Sequence, residues 1–191
     1  MFPNANIIID RFHLVNLIST SLNNTRINVM KSDKKNYNKL KRYWRLILKR
    51  QDELDNTKWK KWRCFDDLMT QVDVVNYLIN TNIHLKETYI VYQSLLYALK
   101  NNQYNQLETI LNTKHEKISS YMKTSIKTLK EYLPYIKNTL SNPYHNGFVE
   151  GNNNFIKVLK RIAFGFRSFR RFKARIMICK NLLHIKKANA F

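Results

Sequence analysis

One acidic side chain, Glu150, stands out because of its neighbours. The segment NGFVEGNNNF places Gly147 and Gly151 on either side of it, and these are two of only three glycines in the chain. Glycine lets a ligand or a backbone approach closely, and inside a helix it costs about 1 kcal/mol relative to alanine. After Glu150 the sequence contains eleven lysines and arginines and no acid. A carboxylate beside so many cations suggests a divalent ion between it and a phosphate group.

Glu150 also has a simpler interpretation, because a glutamate in the first turn of a helix complements the helix dipole by about 0.3–1 kcal/mol. Two-metal phosphodiester chemistry requires a second carboxylate on a rigid element. The candidate is Asp10, because ANIIID predicts a short buried strand that ends at this residue. His13, three residues after Asp10, either binds the metal together with it, supports that site or packs in the core. His145 either contacts a phosphate or caps a turn.

The positive charge beyond Glu150 follows two predicted helices, at about 149–162 and 169–184, with a hinge at Gly165. The first helix should bury one apolar face, consisting of Val149, Ile156, Leu159 and Ala163. Eight cations with no acid among them form a candidate surface for DNA phosphates: Lys157, Lys160, Arg161, Arg167, Arg170, Arg171, Lys173 and Arg175. The net charge of +21 makes nucleic acid the first partner to consider, an anionic membrane surface the second, and a solvated basic face the alternative.

The rest of the chain is predicted to be helical. From Arg11 to about Ser141 apolar residues recur at helical spacing without a single glycine, as expected for an antiparallel helical bundle. TYIVY, although rich in β-formers, continues this spacing and is predicted to be helix. The aromatic residues between the first helices are predicted to be core residues rather than ligand platforms: Tyr43, Trp44, Trp59, Trp62 and Phe65.

Several classes of protein lack support in the sequence. No apolar run approaches the roughly 20 residues of a membrane-spanning helix. Cys64 and Cys179 form no metal-binding or disulfide pattern, which is typical of a reducing compartment such as the cytoplasm. The chain contains no P-loop, GxSxG or HExxH motif.

Two segments, NIIIDRFH and NGFVEGNNNFIKVLKRIAFGFRSF, resemble the catalytic region of DDE transposases of the bacterial ISL-three insertion-sequence family. The resemblance covers essentially the whole chain and implies an α+β fold with a partial RNase H-like core. Residues 1–10 would be the core strand ending in the family's second aspartate, 11–141 a helical insertion, and 142–191 the glutamate helix and the basic carboxy-terminal helix. The chain itself is expected to be predominantly α-helical, with one short strand near its amino terminus.

The resemblance also implies a function, namely cleavage at transposon ends and strand transfer to double-stranded DNA, dependent on magnesium or manganese. Asp10 and Glu150 would be the catalytic and metal-binding acids. The family's first aspartate lies on an earlier strand, whereas nine residues precede Asp10, so we expect a truncated copy that binds metal weakly. Its partners would be a second copy or a complementing transposase fragment. The alternatives are a non-catalytic basic helical protein that binds nucleic acid, and a protein that assembles with an intact transposase.

Overall fold

The molecule is built almost entirely from helices, as the sequence predicts. A computed structural model describes residues 6–142 and 147–182. The chain separates into two compact units, Met1–Tyr144 and His145–Phe191. The helices of the first unit are α1 (Arg11–Ser32), α2 (Tyr37–Arg42), α3 (Trp44–Leu48), α4 (Gln71–Ile79), α5 (Ile83–Lys100), α6 (Tyr104–Asn112), α7 (Ser120–Glu131) and α8 (Leu133–Ser141). No helix among the described residues is both long and apolar enough to cross a membrane.

The core of the first unit forms where α1, α5 and α7 pack against one another. On α1, Leu14, Ile18 and Leu22 recur every four residues and are buried, so the periodicity predicted from the sequence corresponds to the core face. Burial of such a side chain contributes about 1.5–3 kcal/mol. Small polar side chains also meet in this core, because Ser21 Oγ lies 2.6 Å from Ser125 Oγ between α1 and α7. The TYIVY segment lies within α5, which confirms its assignment as helix.

Local capping signals set the beginnings of these helices. Asn82 caps the amino end of α5, where its Oδ1 accepts hydrogen bonds from the backbone N–H groups of His84 (2.8 Å) and Leu85 (3.3 Å). Thr70 and Asp73 form a reciprocal capping box at the start of α4. Such caps satisfy N–H groups that have no partner inside the helix, and each contributes about 0.5–2 kcal/mol.

The strand predicted to end at Asp10 does not form in the described residues 6–10. This segment instead lies against side chains of α8. The Ile9 N–H donates to Thr139 Oγ1 over 2.9 Å, and Asn138 Nδ2 donates to the Ile7 carbonyl over 3.2 Å. A strand requires the backbone of a neighbouring strand, whereas here side chains of a helix satisfy the backbone groups. The prediction of a strand at this position was therefore wrong.

The two strands that the described chain does contain lie elsewhere, at β1 (Lys60–Lys61) and β2 (Leu68–Met69), which pair antiparallel. Beside this hairpin, Tyr43 packs edge-on to Trp62, with ring centroids 5.3 Å apart, and Tyr43 and Phe65 are buried. These residues follow the prediction of an aromatic core. Trp59 does not, because 64% of its surface is exposed.

The second unit, within its described residues 147–182, consists of α9 (Gly147–Ile162) and α10 (Phe169–Cys179). Gly165 lies between them with a φ of +100°, a left-handed conformation that favours glycine and agrees with the predicted hinge. The rings of Phe166 and Phe172 are 4.7 Å apart. No residue of α9 or α10 is buried, and Val149 is 52% exposed. The predicted burial of an apolar face on α9 is therefore only partial, because Ile156, Leu159 and Ala163 are half-buried whereas Val149 is exposed.

Candidate nucleic-acid interface and catalytic acids

Asp10 lies at the amino end of α1 and caps it. Its Oδ1 accepts a hydrogen bond from the Phe12 backbone N–H over 2.9 Å, and its carbonyl oxygen accepts one from the His13 N–H over 3.0 Å. A carboxylate at this position also interacts favourably with the helix dipole. Capping therefore accounts for Asp10 without any ligand. The cap also holds the side chain at a defined position, which is a requirement for a metal ligand.

His13 is exposed in the first turn of α1, so it is not a core residue. Its ring stands edge-on to that of Phe12, with centroids 5.6 Å apart. Its predicted role in supporting Asp10 stays a prediction. The corresponding prediction for His145 concerns a residue outside the described ranges.

Glu150 lies in the first turn of α9 and is exposed. Among the described residues, no lysine, arginine or histidine nitrogen comes within 4.0 Å of its carboxylate. A Cβ added to the neighbouring Gly151 would meet no atom within 4 Å. Packing within the described residues therefore gives no reason for glycine at this position, whereas a closely approaching ligand would.

The two acids belong to different units, Asp10 to the first and Glu150 to the second. That their carboxylates face each other across a common metal site stays a prediction. Carboxylate oxygens are the ligands that magnesium prefers, so the chemistry of both side chains fits the ion. The described residues contain no group of three or more His, Cys, Asp or Glu side chains that could hold a metal.

The predicted DNA-binding cations share one property: they are exposed to solvent, and none has an ion-pair partner among the described residues. All eight are exposed in the second unit, and each ion pair found in the described residues lies in the first unit. Lys157, Lys160 and Arg161 form the exposed basic face of α9. Cations without acidic neighbours retain their full charge for an external anion, and phosphates are the anions that such surfaces bind most often.

Sequence reasoning missed two basic features. Lys180, just after α10, places its ammonium 4.6 Å from the centre of the Phe155 ring, which links the two helices of the second unit. The β1–β2 hairpin carries KWKKWR, whose tryptophans are predicted to be core residues and whose cations are part of no predicted site. Alternation of cations and aromatic rings was the signal that could have identified it.

Comparison with known proteins identifies the family. The chain matches the transposase family DDE_Tnp_ISL3 over residues 1–176, a span that includes Asp10, Glu150 and all eight cations. The chain belongs to this transposase family. The resemblance seen in the two sequence motifs is therefore confirmed.

A curated relative from Lactococcus lactis subsp. lactis, named "ATP-dependent protease", is 44% identical over 110 residues. The aligned residues are 58% of this chain and 35% of that protein, so the chain spans about a third of the relative's length. No solved structure matches the transposase chain significantly.

Proposed function

We propose that this chain is part of the catalytic region of a bacterial transposase that cuts and joins DNA at transposon ends. The observation that carries the proposal is the family match across residues 1–176, because it contains both candidate acids and the complete basic surface. The name of the Lactococcus relative points to proteolysis instead. The family match covers more of this chain than the aligned 110 residues do, and we follow it.

In this proposal, Asp10 and Glu150 hold magnesium or manganese. When bound, such ions activate the attacking oxygen and stabilise the leaving oxygen in phosphodiester chemistry. Asp10 is positioned for this role by its cap on α1, and Glu150 by the first turn of α9. Gly151 lets the DNA backbone approach Glu150, and the cations of α9 and α10 hold the phosphates.

DNA binding tests the proposal most directly. Each phosphate contact adds about 0.9 to the slope of log affinity against log salt. We expect the Lys157→Ala, Lys160→Ala, Arg161→Ala triple variant to flatten the slope for duplex DNA, measured by fluorescence anisotropy. The matched control removes three exposed lysines from α7, by Lys123→Ala, Lys127→Ala and Lys130→Ala, and should leave the slope unchanged. An unchanged slope in the α9 variant would rule out the proposed surface.

A second measurement separates the transposase from the alternative, a non-catalytic basic protein whose exposed cations bind nucleic acid. Glu150→Gln removes a negative charge beside phosphates, so it should strengthen duplex binding in EDTA in either case. If Glu150 holds a metal, magnesium should strengthen binding by the unmodified chain and do so less in the variant. An equal magnesium response in both proteins would favour the alternative.

The 191-residue chain alone should not cut DNA, because two carboxylates are too few to hold two ions in line. The assay incubates the chain with magnesium or manganese and DNA carrying the element's ends, and scores nicking and strand transfer. The expected partner is a second copy or a fragment that adds the missing ligand, acting in the cytoplasm. Nicking that disappears with Glu150→Gln would show instead that this chain supplies enough ligands.

A further inference from the structure

The β1–β2 hairpin of the first unit is unusually rich in cations and indoles. Four of the six residues 58–63 are lysine or arginine, the other two are tryptophan, and none is acidic. We call residues 58–69 the hairpin wing. Its composition differs from that of the second unit's basic surface, which contains no tryptophan at all.

The pairing of the strands gives the wing an inner and an outer side. Lys60 pairs with Met69, and Lys61 pairs with Leu68. Met69 packs against the core, whereas Leu68 is 59% exposed, so Lys61 and Leu68 mark the outer side. Since side chains alternate along an extended segment, Trp59 is assigned to the same side as Lys61.

The inner side accounts for the other tryptophan. Trp62 packs against the core, its Nε1 donates to the Met69 carbonyl over 2.8 Å, and the Lys60 ammonium lies 3.9 Å from its ring centre. The Tyr43 hydroxyl donates to the Arg63 carbonyl over 2.6 Å, which attaches the wing to the rest of the unit. These contacts attach the inner side of the wing to the rest of the first unit.

Among the described residues, no such contacts explain the position of Trp59. Its indole is 64% exposed, and among the described residues it makes no ring or cation–π contact. Lys61 and Arg63 are exposed as well, and within the described chain neither has an acid within 4.0 Å. Asp66 and Asp67, in the turn that connects the two strands, do not reach them.

An exposed indole beside unpaired cations fits one chemistry particularly well. Proteins that bind single-stranded nucleic acid combine cations that contact the phosphates with aromatic rings on which bases stack, and each stacked base contributes about 1–3 kcal/mol. Duplex DNA offers phosphates but no free base face. An anionic membrane surface would also engage the cations and the indole, but the match to a transposase family makes DNA the expected partner.

We propose that the hairpin wing binds an unpaired DNA strand, with Trp59 stacking on a base and Lys61 and Arg63 contacting the adjacent phosphates. This extends the proposed function, since strand separation at a cut end exposes such bases, and it rests on that function only for the identity of the nucleic acid. The wing and the α9 surface are different residues in different units, so each can be tested without the other.

The experiment uses the full chain carrying the α9 triple variant, so that binding by the second unit is weakened. The probes are a labelled thymine oligonucleotide of about 12 nucleotides, an abasic strand of the same length, and a duplex. Trp59→Ala should weaken thymine binding about tenfold, Trp59→Phe should restore most of it, and neither should change duplex binding. Lys61→Gln and Arg63→Gln should weaken binding of the thymine and abasic strands alike.

The matched control is Lys114→Gln, because it removes the same charge from an exposed lysine that already pairs with Glu116 at 3.1 Å. It should leave all three affinities unchanged, and circular dichroism should show folded protein throughout. An unchanged thymine affinity for Trp59→Ala would overturn the proposal, as would an equal loss for the abasic strand. Neither result contradicts the proposed α9 surface. Conversely, an unchanged salt slope of duplex binding in the α9 variant would refute that surface and not the wing.

Discussion

The two units use their side chains in opposite ways. The first unit buries an apolar cluster that extends from Leu14 to Leu140, and it contains each ion pair found in the described residues. In the second unit, residues 147–182 include nine cations and one acid, and no residue of α9 or α10 is buried. The contrast indicates that burial stabilises the first unit, whereas the second unit leaves its charge exposed, as the proposed DNA binding requires.

The largest expected change in stability comes from a pair of leucine substitutions, one in each unit. Leu95 on α5 is fully buried, so Leu95→Ala should destabilise the protein by about 2–5 kcal/mol. Leu159 on α9 is half-buried, and Leu159→Ala should cost about 1 kcal/mol or less. Urea unfolding followed by circular dichroism measures both. Equal losses would mean that the second unit has a core of its own.

The next largest effect on stability is expected when a buried arginine is compared with an exposed one. Arg26 is only 6% exposed, and its guanidinium donates to Asn23 Oδ1 and to the Leu40 carbonyl, each over 2.9 Å. Burial lowers its pKa from the ordinary arginine value. Arg26→Met should destabilise the protein by about 1–3 kcal/mol, because it removes the buried hydrogen bond to the Leu40 carbonyl.

The control for this comparison is Arg161→Met, which changes an exposed cation of α9 in the same way. Its effect on the unfolding free energy should stay within about 0.5 kcal/mol. The two variants are compared by thermal unfolding at one pH. A large loss for Arg161→Met would show that the basic surface has a structural role as well.

Gly151 and Gly165 should respond to alanine substitution in opposite directions. Gly165→Ala places a side chain at a φ of +100° and should destabilise the second unit by about 1 kcal/mol. Gly151→Ala meets no atom within 4 Å inside a helix and should stabilise α9 by about 1 kcal/mol. Circular dichroism measures both changes. Weaker duplex binding by the more stable Gly151→Ala protein would support a close approach of DNA beside Glu150.

The last expected effect is a loss of stability at high pH that belongs to the first unit. Burial raises the pKa of Tyr89 to about 12, above the unfolded value of 10. The neutral phenol therefore contributes stability that is complete below pH 10 and is lost as the pH rises towards 12. Tyrosinate absorbance should rise late for this residue, and Tyr89→Phe should flatten the decline in stability over that range. If stability declines equally in Tyr89→Phe, ionisable groups other than Tyr89 cause the decline.

Much of the fold could be predicted because its signals are local. The spacing of Leu14, Ile18 and Leu22 on α1, and the helical register of TYIVY, persist whatever surrounds them. The helix that begins near Glu150 and the turn at Gly165 follow from the same kind of evidence. The candidate acids and the eight cations were found from residue type and spacing, and all eight cations are exposed.

The sequence by itself therefore determined the helices, their charged faces and the family to which the two motifs belong. The tertiary structure alone decided how the segment before Asp10 satisfies its backbone, because Thr139 and Asn138 lie some 130 residues away in the chain. It also decided between tryptophans with nearly identical neighbours, burying part of Trp62 beneath Lys60 and leaving Trp59 in solvent. Periodicity identifies which residues share a face, but only packing between distant segments determines which face is covered.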